Sequence, residues 1–366
     1  MEPIRIGIIG VGQIGKSHLK QYASLPGANV VAIADVNEKE LQFVSESYQV
    51  PHSYTNFHDL LKRDDIEAVD ICLHNNFHAP VTIRALEAGK HVYCEKPIAG
   101  SYADGLAMMN AAKVCDKKLH IQLATLYSKE TKAAKHLIDQ GKLGKLYHAR
   151  SNGFRRRSRP YVDGYGSMSF VQKEISAGGA LNDMGVYHIA QVLYLLGLPE
   201  VERISGKIYQ ETEMSEERKR KSGYNVEELG MGFIKLSGGM TLDLIEAWAA
   251  HLNALEGSMV MGSSGGLKLA PFSYHANLCD IEMNATFDLN AMDYRWHQLR
   301  DDEDAYDSSQ AHWIAALQGR VDLLPSAQLA LQAMLICEGI YLSDRTGHEV
   351  SIDEVVYASQ SSAVVL

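Results

Sequence analysis

The chain has 366 residues, of which 46% are hydrophobic and 22% are charged. These proportions are typical of a globular protein and exclude a disordered chain or a membrane-embedded one. The 45 acidic residues outnumber the 35 lysines and arginines, and the resulting formal net charge of −10 repels nucleic acid and anionic lipid. Because this length exceeds what one hydrophobic core usually serves, we expect two domains and neither a nucleic-acid nor a membrane partner.

Cysteine usage and the N-terminal segment both favour a cytoplasmic protein. The five cysteines are scattered without a paired motif, which is typical of a reducing compartment without structural disulfides. Met1 is followed within a few residues by the apolar segment Ile4–Ile9, and no basic leader or long apolar span is present. The 15 histidines contain no H-E-x-x-H segment, so no metal site is predicted.

The first third of the chain alternates short apolar runs with helical patterns. This alternation is typical of βαβ units that build a parallel sheet. We predict an N-terminal Rossmann domain, a doubly wound parallel sheet over residues 1–125. Its predicted strands are Ile4–Ile9, Asn29–Ala34, Ala68–Leu73, His91–Cys94 and Leu119–Leu123, and two of its helices are Ala79–Ala88, ended by Gly89, and Tyr102–Cys115, capped by Ser101.

The pattern changes beyond residue 125. Residues 126–366 are predicted to form a C-terminal α+β domain for substrate binding and oligomerisation, with a mostly antiparallel open sheet. The glycine-containing segments 237–239 and 263–265 separate neighbouring strands and indicate hairpins. The predicted strands are Leu146–Asn152, Val201–Ile208, Leu229–Leu236, Met240–Ala247, Ser258–Gly262 and Gly266–Leu269, and the predicted helices are Thr131–Gln140, Leu181–Leu196, His312–Leu317 and Ser326–Ser343.

A glycine-rich turn follows the first strand directly. Gly10, Gly12 and Gly15 form a G-x-G-x-x-G pattern that opens a helix, with Gln13 and Ile14 inside it. In this context the first glycine permits a tight turn, the second lets the backbone approach a pyrophosphate, and the third lets the helix pack closely on the strand. The positive end of the helix would hold the phosphates. The pattern therefore predicts a dinucleotide site.

Asp35 ends the second predicted strand, about 20 residues beyond the last glycine, as expected for a carboxylate on the adenosine ribose. A 2′-phosphate would be repelled there, and the following Val36 and Asn37 offer no compensating cation. The predicted cofactor is NAD rather than NADP.

Lys96 stands in a Glu95-Lys96-Pro97 segment directly after the strand His91–Cys94. Ligands bind at this carboxyl edge of open α/β sheets. A partly desolvated lysine beside a positively charged nicotinamide would have a lowered pKa and could donate a hydrogen bond to the reacting oxygen. Alternatively, Glu95 serves only to neutralise the lysine.

Four segments together resemble the glucose-fructose oxidoreductase and inositol dehydrogenase (Gfo/Idh/MocA) family over essentially the whole chain. They are the glycine pattern, residues 73–79, residues 85–97 and the Gly178–His188 segment. In that family the lysine of the Glu-Lys-Pro segment is catalytic, so the resemblance implies this role for Lys96. It also places Asn75 and His78 beside the cofactor. The residues expected to contact NAD are Gly10, Gly12, Gln13, Ile14, Gly15, Asp35, Asn75, His78, Glu95 and Lys96.

Asp183 and Tyr187 are four residues apart, which places them on one face of a helix. Family members usually carry a proton-transferring histidine four residues after the aspartate, and some sugar-oxidising relatives carry tyrosine there. Here Tyr187 holds that position and His188 follows it, so both are acid/base candidates. The rotation of about 100° per residue aims His188 away from the shared face and favours Tyr187. Asp183 is expected to orient the substrate hydroxyl.

The segment Arg155–Arg159 is the only concentrated basic stretch of this acidic chain. Such a loop could clamp a carboxylate or phosphate, or it could form ion pairs between domains or subunits. Tyr127, Arg155 and Tyr161 are predicted to bind substrate together with Asp183 and Tyr187. Further candidates are Asp163, Tyr165 and Trp248, since aromatic faces and hydrogen bonds recognise sugars.

These features predict an NAD-dependent oxidoreductase that moves a hydride between nicotinamide and a secondary alcohol carbon of a sugar, polyol or sugar derivative. Two alternatives remain: a redox-neutral, NAD-using glycoside hydrolase or lyase, and a regulator that binds the dinucleotide without chemistry. By analogy with the family, a homodimer or homotetramer is expected.

Overall fold

A computed structural model describes residues 2–366, and its first sheet is parallel throughout. The spatial order of the strands is β3-β2-β1-β4-β5-β6, the doubly wound order of dinucleotide-binding domains. The prediction of a Rossmann sheet is therefore confirmed. The strands are β1 (Ile4–Ile9), β2 (Ala28–Ala34), β3 (His52–Tyr54), β4 (Ala68–Ile71), β5 (His91–Cys94) and β6 (Leu119–Ile121).

Helices connect these strands: α1 (Gln13–Ala23), α2 (Glu38–Tyr48), α3 (Phe57–Leu61), α4 (Asn75–Glu87) and α5 (Tyr102–Val114). Ser101 caps α5 as predicted. Two predicted strands are longer than the observed ones, because residues 72–73 and 122–123 leave the hydrogen-bonded ladder at the carboxyl edge. The short β3 and the polar α2 carry weak periodicity and were not predicted.

The second sheet is mixed and mostly antiparallel, in the order β14-β13-β12-β11-β7-β10-β9-β8-β15, which confirms the predicted type. Both predicted hairpins are present, between β9 and β10 and between β11 and β12. Only the central pair β7 and β10 is parallel. The strands are β7 (Leu146–Phe154), β8 (Val201–Tyr209), β9 (Leu229–Leu236), β10 (Met240–Ala247), β11 (Met259–Gly262), β12 (Gly266–Leu269), β13 (Phe272–Leu278), β14 (Ile281–Thr286) and β15 (Val350–Ser351).

The remaining helices are α6 (Lys129–Asp139), α7 (Lys173–Ser176), α8 (Val186–Leu195), α9 (Glu216–Ser222), α10 (Leu289–Leu299), α11 (Ser309–Leu317), α12 (Ser326–Thr346) and α13 (Ile352–Ala358). The long α12 packs on β8, α8 and α5, so it joins the two sheets. Trp313 of α11 is fully buried in a core that includes Ile6 and Ile8 of β1. The proposed division at residue 125 stays a prediction. No described helix combines the length and apolar character that crossing a membrane requires.

Candidate active site

The glycine turn lies between β1 and α1 and leaves space above it. Gly10 has a φ of +93°, a conformation that residues with a side chain rarely adopt. A Cβ at Gly15 would collide with the carbonyl oxygen of Gly10, whereas a Cβ at Gly12 would meet nothing within 4 Å. The open side of Gly12 and the N-terminus of α1 therefore form a cradle that fits a pyrophosphate. Gln13 and Ile14 lie in the exposed first turn of α1.

Asp35 follows β2 and is tied to this turn. Its Oδ2 accepts a hydrogen bond from the backbone N–H of Val11 at 2.8 Å, and its Oδ1 accepts one from Asn37 at 2.9 Å. These bonds hold the carboxylate at the edge of the cradle, where it can also accept bonds from ribose hydroxyls. Val36 beside it is 89% exposed and brings no positive charge.

Lys96 reaches across the cleft to the segment that precedes α8. Its Nζ donates to Asp183 Oδ1 at 2.9 Å and to the Asp183 carbonyl oxygen at 2.7 Å. The side chains of Lys96 and Asp183 are only 15% and 21% exposed. The structure thus brings together two predicted catalytic residues that are 87 positions apart in sequence.

The predicted lowering of the lysine pKa is wrong for this structure. Burial lowers the pKa of Lys96, but the negative charge and hydrogen bond of Asp183 raise it more, and the net shift is upward. Burial likewise raises the pKa of Asp183, while Lys96, Trp248 and Arg155 lower it, with a net lowering. The pair is therefore an ammonium and a carboxylate at neutral pH. Burial and a bound nicotinamide would each lower the pKa of Lys96, and the Asp183 carboxylate is the partner that reverses the shift.

The segment that carries Asp183 is a π-helical turn, Leu181–Gly185, that leads into α8. The predicted single α-helix is thus replaced at its start by a wider turn with i to i+5 hydrogen bonds. Asp183 Oδ2 accepts a hydrogen bond from the indole N–H of the fully buried Trp248 at 3.0 Å. Trp248, proposed from sequence as a sugar contact, instead fixes the carboxylate.

Tyr187, in the first turn of α8, lies beside Lys96, whose Nζ is 5.0 Å from the centre of the phenol ring. The hydroxyl donates to Gln122 Oε1 at 3.2 Å. Burial raises the pKa of Tyr187 and the charge of Lys96 lowers it, and the result is about 12. Gln122 follows β6 at the carboxyl edge of the sheet, a position that could have suggested it from sequence.

His188 faces a different group. Its Nδ1 lies 3.0 Å from Oε2 of Glu246, which is fully buried on β10. Burial lowers the pKa of His188, but the Glu246 charge raises it more. The imidazole remains 28% exposed. The structure therefore places Tyr187, and not His188, next to Lys96.

Three predicted cofactor contacts, Asn75, His78 and Glu95, also have partners within the protein. The Asn75 amide donates to the Ser176 carbonyl oxygen at 2.8 Å, which links α4 to the second half of the chain. His78 is fully buried between the carbonyl oxygens of Pro97 and Leu73. Glu95 is 9% exposed, and its carboxylate accepts the N–H of Lys96 rather than pairing with the ammonium group.

A buried ion pair beneath the glycine turn was missed. His18 of α1 lies between Asp70 Oδ2, at 2.9 Å from its Nδ1, and Glu95 Oε1, at 3.0 Å from its Nε2. Burial lowers the pKa of His18, but Asp70 and Cys72 raise it more, so the ring is an imidazolium. The ligand-type atoms of His18, Asp70 and Cys72 lie within 4.8 Å of one another. No spacing motif joins these three segments, and hydrogen bonds among them account for their proximity.

Tyr127 is not a substrate residue in this structure, and its prediction is corrected. The ring is 6% exposed and packs between His120 and His312 in the interior. Its hydroxyl lies 3.4 Å from His120 Nε2. The position follows β6 in a 3₁₀ turn that points the side chain inward.

The basic segment 155–159 divides into residues with different environments. Arg159 is fully buried and pairs with Asp163 at 2.8 Å and Glu228 at 2.7 Å, so it forms ion pairs within the chain. Arg155 instead donates to the Tyr165 hydroxyl at 2.8 Å. Tyr161 packs beneath the guanidinium of Arg218 at 4.7 Å and stays a prediction as a substrate residue.

Glu227 is a second group that sequence reasoning missed. It is buried, and its Oε1 accepts hydrogen bonds from the backbone N–H groups of Gly179 and Leu181 and from the Tyr341 hydroxyl, at 2.9 to 3.0 Å. Glu227 therefore holds the start of the turn that carries Asp183. Without a structure, nothing distinguishes it from the neighbouring Glu228, which pairs with Arg159.

Comparisons with known proteins identify the family and the fold. Residues 4–123 match a family model described as an oxidoreductase family with an NAD-binding Rossmann fold, and residues 131–268 match the Gfo/Idh/MocA C-terminal domain. A D-glucoside 3-dehydrogenase of Escherichia coli is 27% identical over 356 residues, which cover 96% of this chain and 98% of that enzyme. A levoglucosan dehydrogenase of Pseudarthrobacter phenanthrenivorans is 31% identical over 54% of this chain and 52% of its own length. The solved structure of an oxidoreductase domain protein from Kribbella flavida superposes with a TM-score of 0.81 at 19% identity, covering 96% of this chain and 100% of that chain.

Proposed function

Because the chain belongs to the Gfo/Idh/MocA family of NAD-binding oxidoreductases, we propose that Lys96, Asp183 and Tyr187 assist the oxidation of a secondary alcohol of a sugar or polyol by NAD. The protein is an NAD-dependent dehydrogenase of carbohydrate CH–OH groups. The observation that carries the residue assignment is the convergence of Lys96, Asp183 and Tyr187 at the carboxyl edge of the parallel sheet.

The chain provides the parts of a dinucleotide site. Gly10, Gly12 and Gly15 with the N-terminus of α1 would hold the pyrophosphate, and Asp35 would accept the ribose hydroxyls. NAD supplies the hydride acceptor when it is bound. Buried Glu95 and His78 act on the Lys96-Pro97 segment through hydrogen bonds, so they position the lysine.

Tyr187 is the proton acceptor in this proposal. The Lys96 ammonium lies over the Tyr187 ring. A substrate hydroxyl beside both groups would donate its proton to the deprotonated Tyr187 oxygen while Lys96 stabilises the developing oxyanion. Asp183 is held from both sides, by Lys96 and by Trp248, and would orient that hydroxyl. His188 lies beside this group and remains the second acid/base candidate.

A substrate panel tests the function. Aldoses, inositols, sugar acids and sugar phosphates are incubated with NAD or NADP, and NAD(P)H absorbance is followed for the wild type and Lys96→Met. We expect NADH to form with at least one sugar or polyol, NADP to be poorer, and Lys96→Met to lose most of the activity. Sugar cleavage without net NADH would indicate the hydrolase or lyase alternative, and NAD binding without any turnover would indicate the regulator.

We also propose a cytoplasmic location and a homodimer or homotetramer. The open face of the second sheet exposes apolar side chains on β8 and β9, namely Tyr209, Met231 and Phe233, each at least 37% exposed. Adjacent exposed apolar residues of this kind are typical of subunit interfaces. Size-exclusion chromatography with light scattering measures the molar mass of the protein in solution and distinguishes a dimer or tetramer from a monomer.

A further inference from the structure

Arg155 differs from Arg157 and Arg159 in what its side chain contacts. Arg157 and Arg159 both contact the carboxylate of Asp163. Arg155, in contrast, has no carboxylate within salt-bridge distance among residues 2–366, and its hydrogen bond goes to the neutral hydroxyl of Tyr165. Its guanidinium lies 5.9 Å from the centre of the Tyr165 ring. Arg155 therefore keeps an uncompensated positive charge.

Strand register aims Arg155 at the catalytic group. In the parallel pair of β7 and β10, Gly153 is opposite Glu246, and the Arg155 N–H donates to the Ala247 carbonyl oxygen. Because side chains alternate along a strand, Gly153 and Arg155 share one face, as do Glu246 and Trp248. That face contacts α8 and the turn before it.

Two contacts show which side chains pack against the face that carries Gly153, Arg155 and Trp248. A Cβ at Gly153 would lie 2.5 Å from the His188 ring, so His188 packs directly on the strand. Trp248 donates to Asp183. Arg155 is two residues after Gly153 and therefore lies on the same face of the strand. This position places it on the Asp183 side of His188. The charge of Arg155 accordingly acts on the pKa values of both Asp183 and His188.

The cations near Asp183 differ in their partners. Lys96 is paired with Asp183, and His188 lies against Glu246. Arg155 remains as one positive charge beside Tyr165, whose ring is 40% exposed. The planar guanidinium presents paired N–H donors that match a carboxylate, and the phenol ring offers a flat surface for a sugar.

We infer that Arg155 and Tyr165 form a subsite for a carboxylate on the substrate, and that the preferred substrates are sugar acids. This inference rests on the proposed function, because it names the substrate class of the same site. A carboxylate can pair with the guanidinium of Arg155 alone. A phosphate dianion would call for additional cations, but Arg157 and Arg159 already contact Asp163, and Arg156 is exposed.

Matched substrate pairs test the inference. D-Glucuronate and D-glucose, and likewise D-galacturonate and D-galactose, differ only in the oxidation state of one carbon. We expect kcat/KM to favour the acid of each pair by about tenfold or more, as a charge-assisted hydrogen bond allows. In Arg155→Gln the acid-to-neutral ratio should fall by about 10- to 100-fold. The exposed neighbour Arg156, changed to Gln, removes the same charge and should preserve the ratio.

Calorimetric titration of D-glucuronate into the enzyme–NADH complex provides a readout without turnover. Binding should be detectable for the wild type and Arg156→Gln and be lost in Arg155→Gln, with unchanged circular dichroism. Oxidation of neutral sugars or sugar phosphates in preference to the acids, a ratio indifferent to Arg155, or no glucuronate binding overturns the inference. NADH formation from neutral sugars alone leaves the proposed function intact, whereas Arg155-dependent binding without any oxidation overturns the proposed function and retains the subsite.

Discussion

Replacing Tyr187 with Phe separates the two acid/base candidates. The substitution removes one hydroxyl and its 3.2 Å hydrogen bond to Gln122, so the free energy of unfolding should fall by only about 1 kcal/mol. If Tyr187 takes the substrate proton, kcat for alcohol oxidation should fall by about 10²- to 10⁴-fold, which corresponds to roughly 3 to 5 kcal/mol of activation free energy. Tyr194→Phe removes a phenol hydroxyl from the same helix and should leave kcat unchanged.

The pH dependence of kcat/KM is a second, independent test of which residue accepts the proton. Burial raises the pKa of Tyr187 to about 12 even though Lys96 opposes the shift. The base must be deprotonated to accept a proton, so kcat/KM for oxidation should rise about tenfold per pH unit and show no plateau below about pH 9. A histidine base would instead level off once its own pKa is passed.

The assay is the initial rate of NADH formation from about pH 6 to pH 10 for the wild type, Tyr187→Phe, His188→Gln and Tyr194→Phe. We expect the rise of kcat/KM with pH to persist in His188→Gln and to be lost in Tyr187→Phe. A plateau in the neutral range that His188→Gln abolishes, together with a nearly active Tyr187→Phe, would assign the proton to His188 and refute the reasoning.

Three further changes test the rest of the site. Tyr127→Phe should leave KM within about twofold and stability within about 1 kcal/mol, because the hydroxyl is buried away from substrate and its contact with His120 Nε2 is long, at 3.4 Å; a large rise in KM would restore Tyr127 as a substrate residue. His18→Gln should lower the free energy of unfolding in urea by about 3–5 kcal/mol, since it leaves Asp70 and Glu95 without their shared cation. Because the pKa of His18 is raised in the folded state, this stabilisation is full below about pH 6.5 and is lost as pH rises through the raised value. A stabilisation that grows with pH would contradict the ion pair. Glu227→Gln should lower kcat by about 10- to 100-fold with little change in the Kd of NADH, because it loosens the turn of Asp183 and leaves the glycine turn intact; equal weakening of NADH binding would indicate general unfolding.

The glycine turn and the parallel strands were predictable because their signals are local. Gly10 and Gly15 sit where any side chain would collide, and the apolar runs of β1, β4 and β5 are buried on both faces. The meeting of Lys96 with Asp183 is a contact over 87 positions, and only the family resemblance suggested it.

Other features depend on partners that no pattern reveals. The direction of the Lys96 pKa shift depends on Asp183. Which arginines after β7 are paired depends on which of them reach the Asp163 carboxylate. Tyr127 resembles a sugar-binding aromatic residue in sequence, yet its 3₁₀ turn buries it. A π-helical turn at Asp183 likewise leaves no periodicity that differs from an ordinary helix start.

Isotope transfer tests the central claim most directly. Uniformly C-deuterated sugars that are active in the panel are oxidised with unlabelled NAD, and the recovered NADH is analysed by mass spectrometry. Hydride transfer from a secondary alcohol carbon predicts one deuterium in each NADH formed. Both Lys96→Met and Tyr187→Phe should lower the amount of deuterated NADH. Sugar turnover that leaves the cofactor oxidised and unlabelled at the end of the reaction would contradict the dehydrogenase assignment.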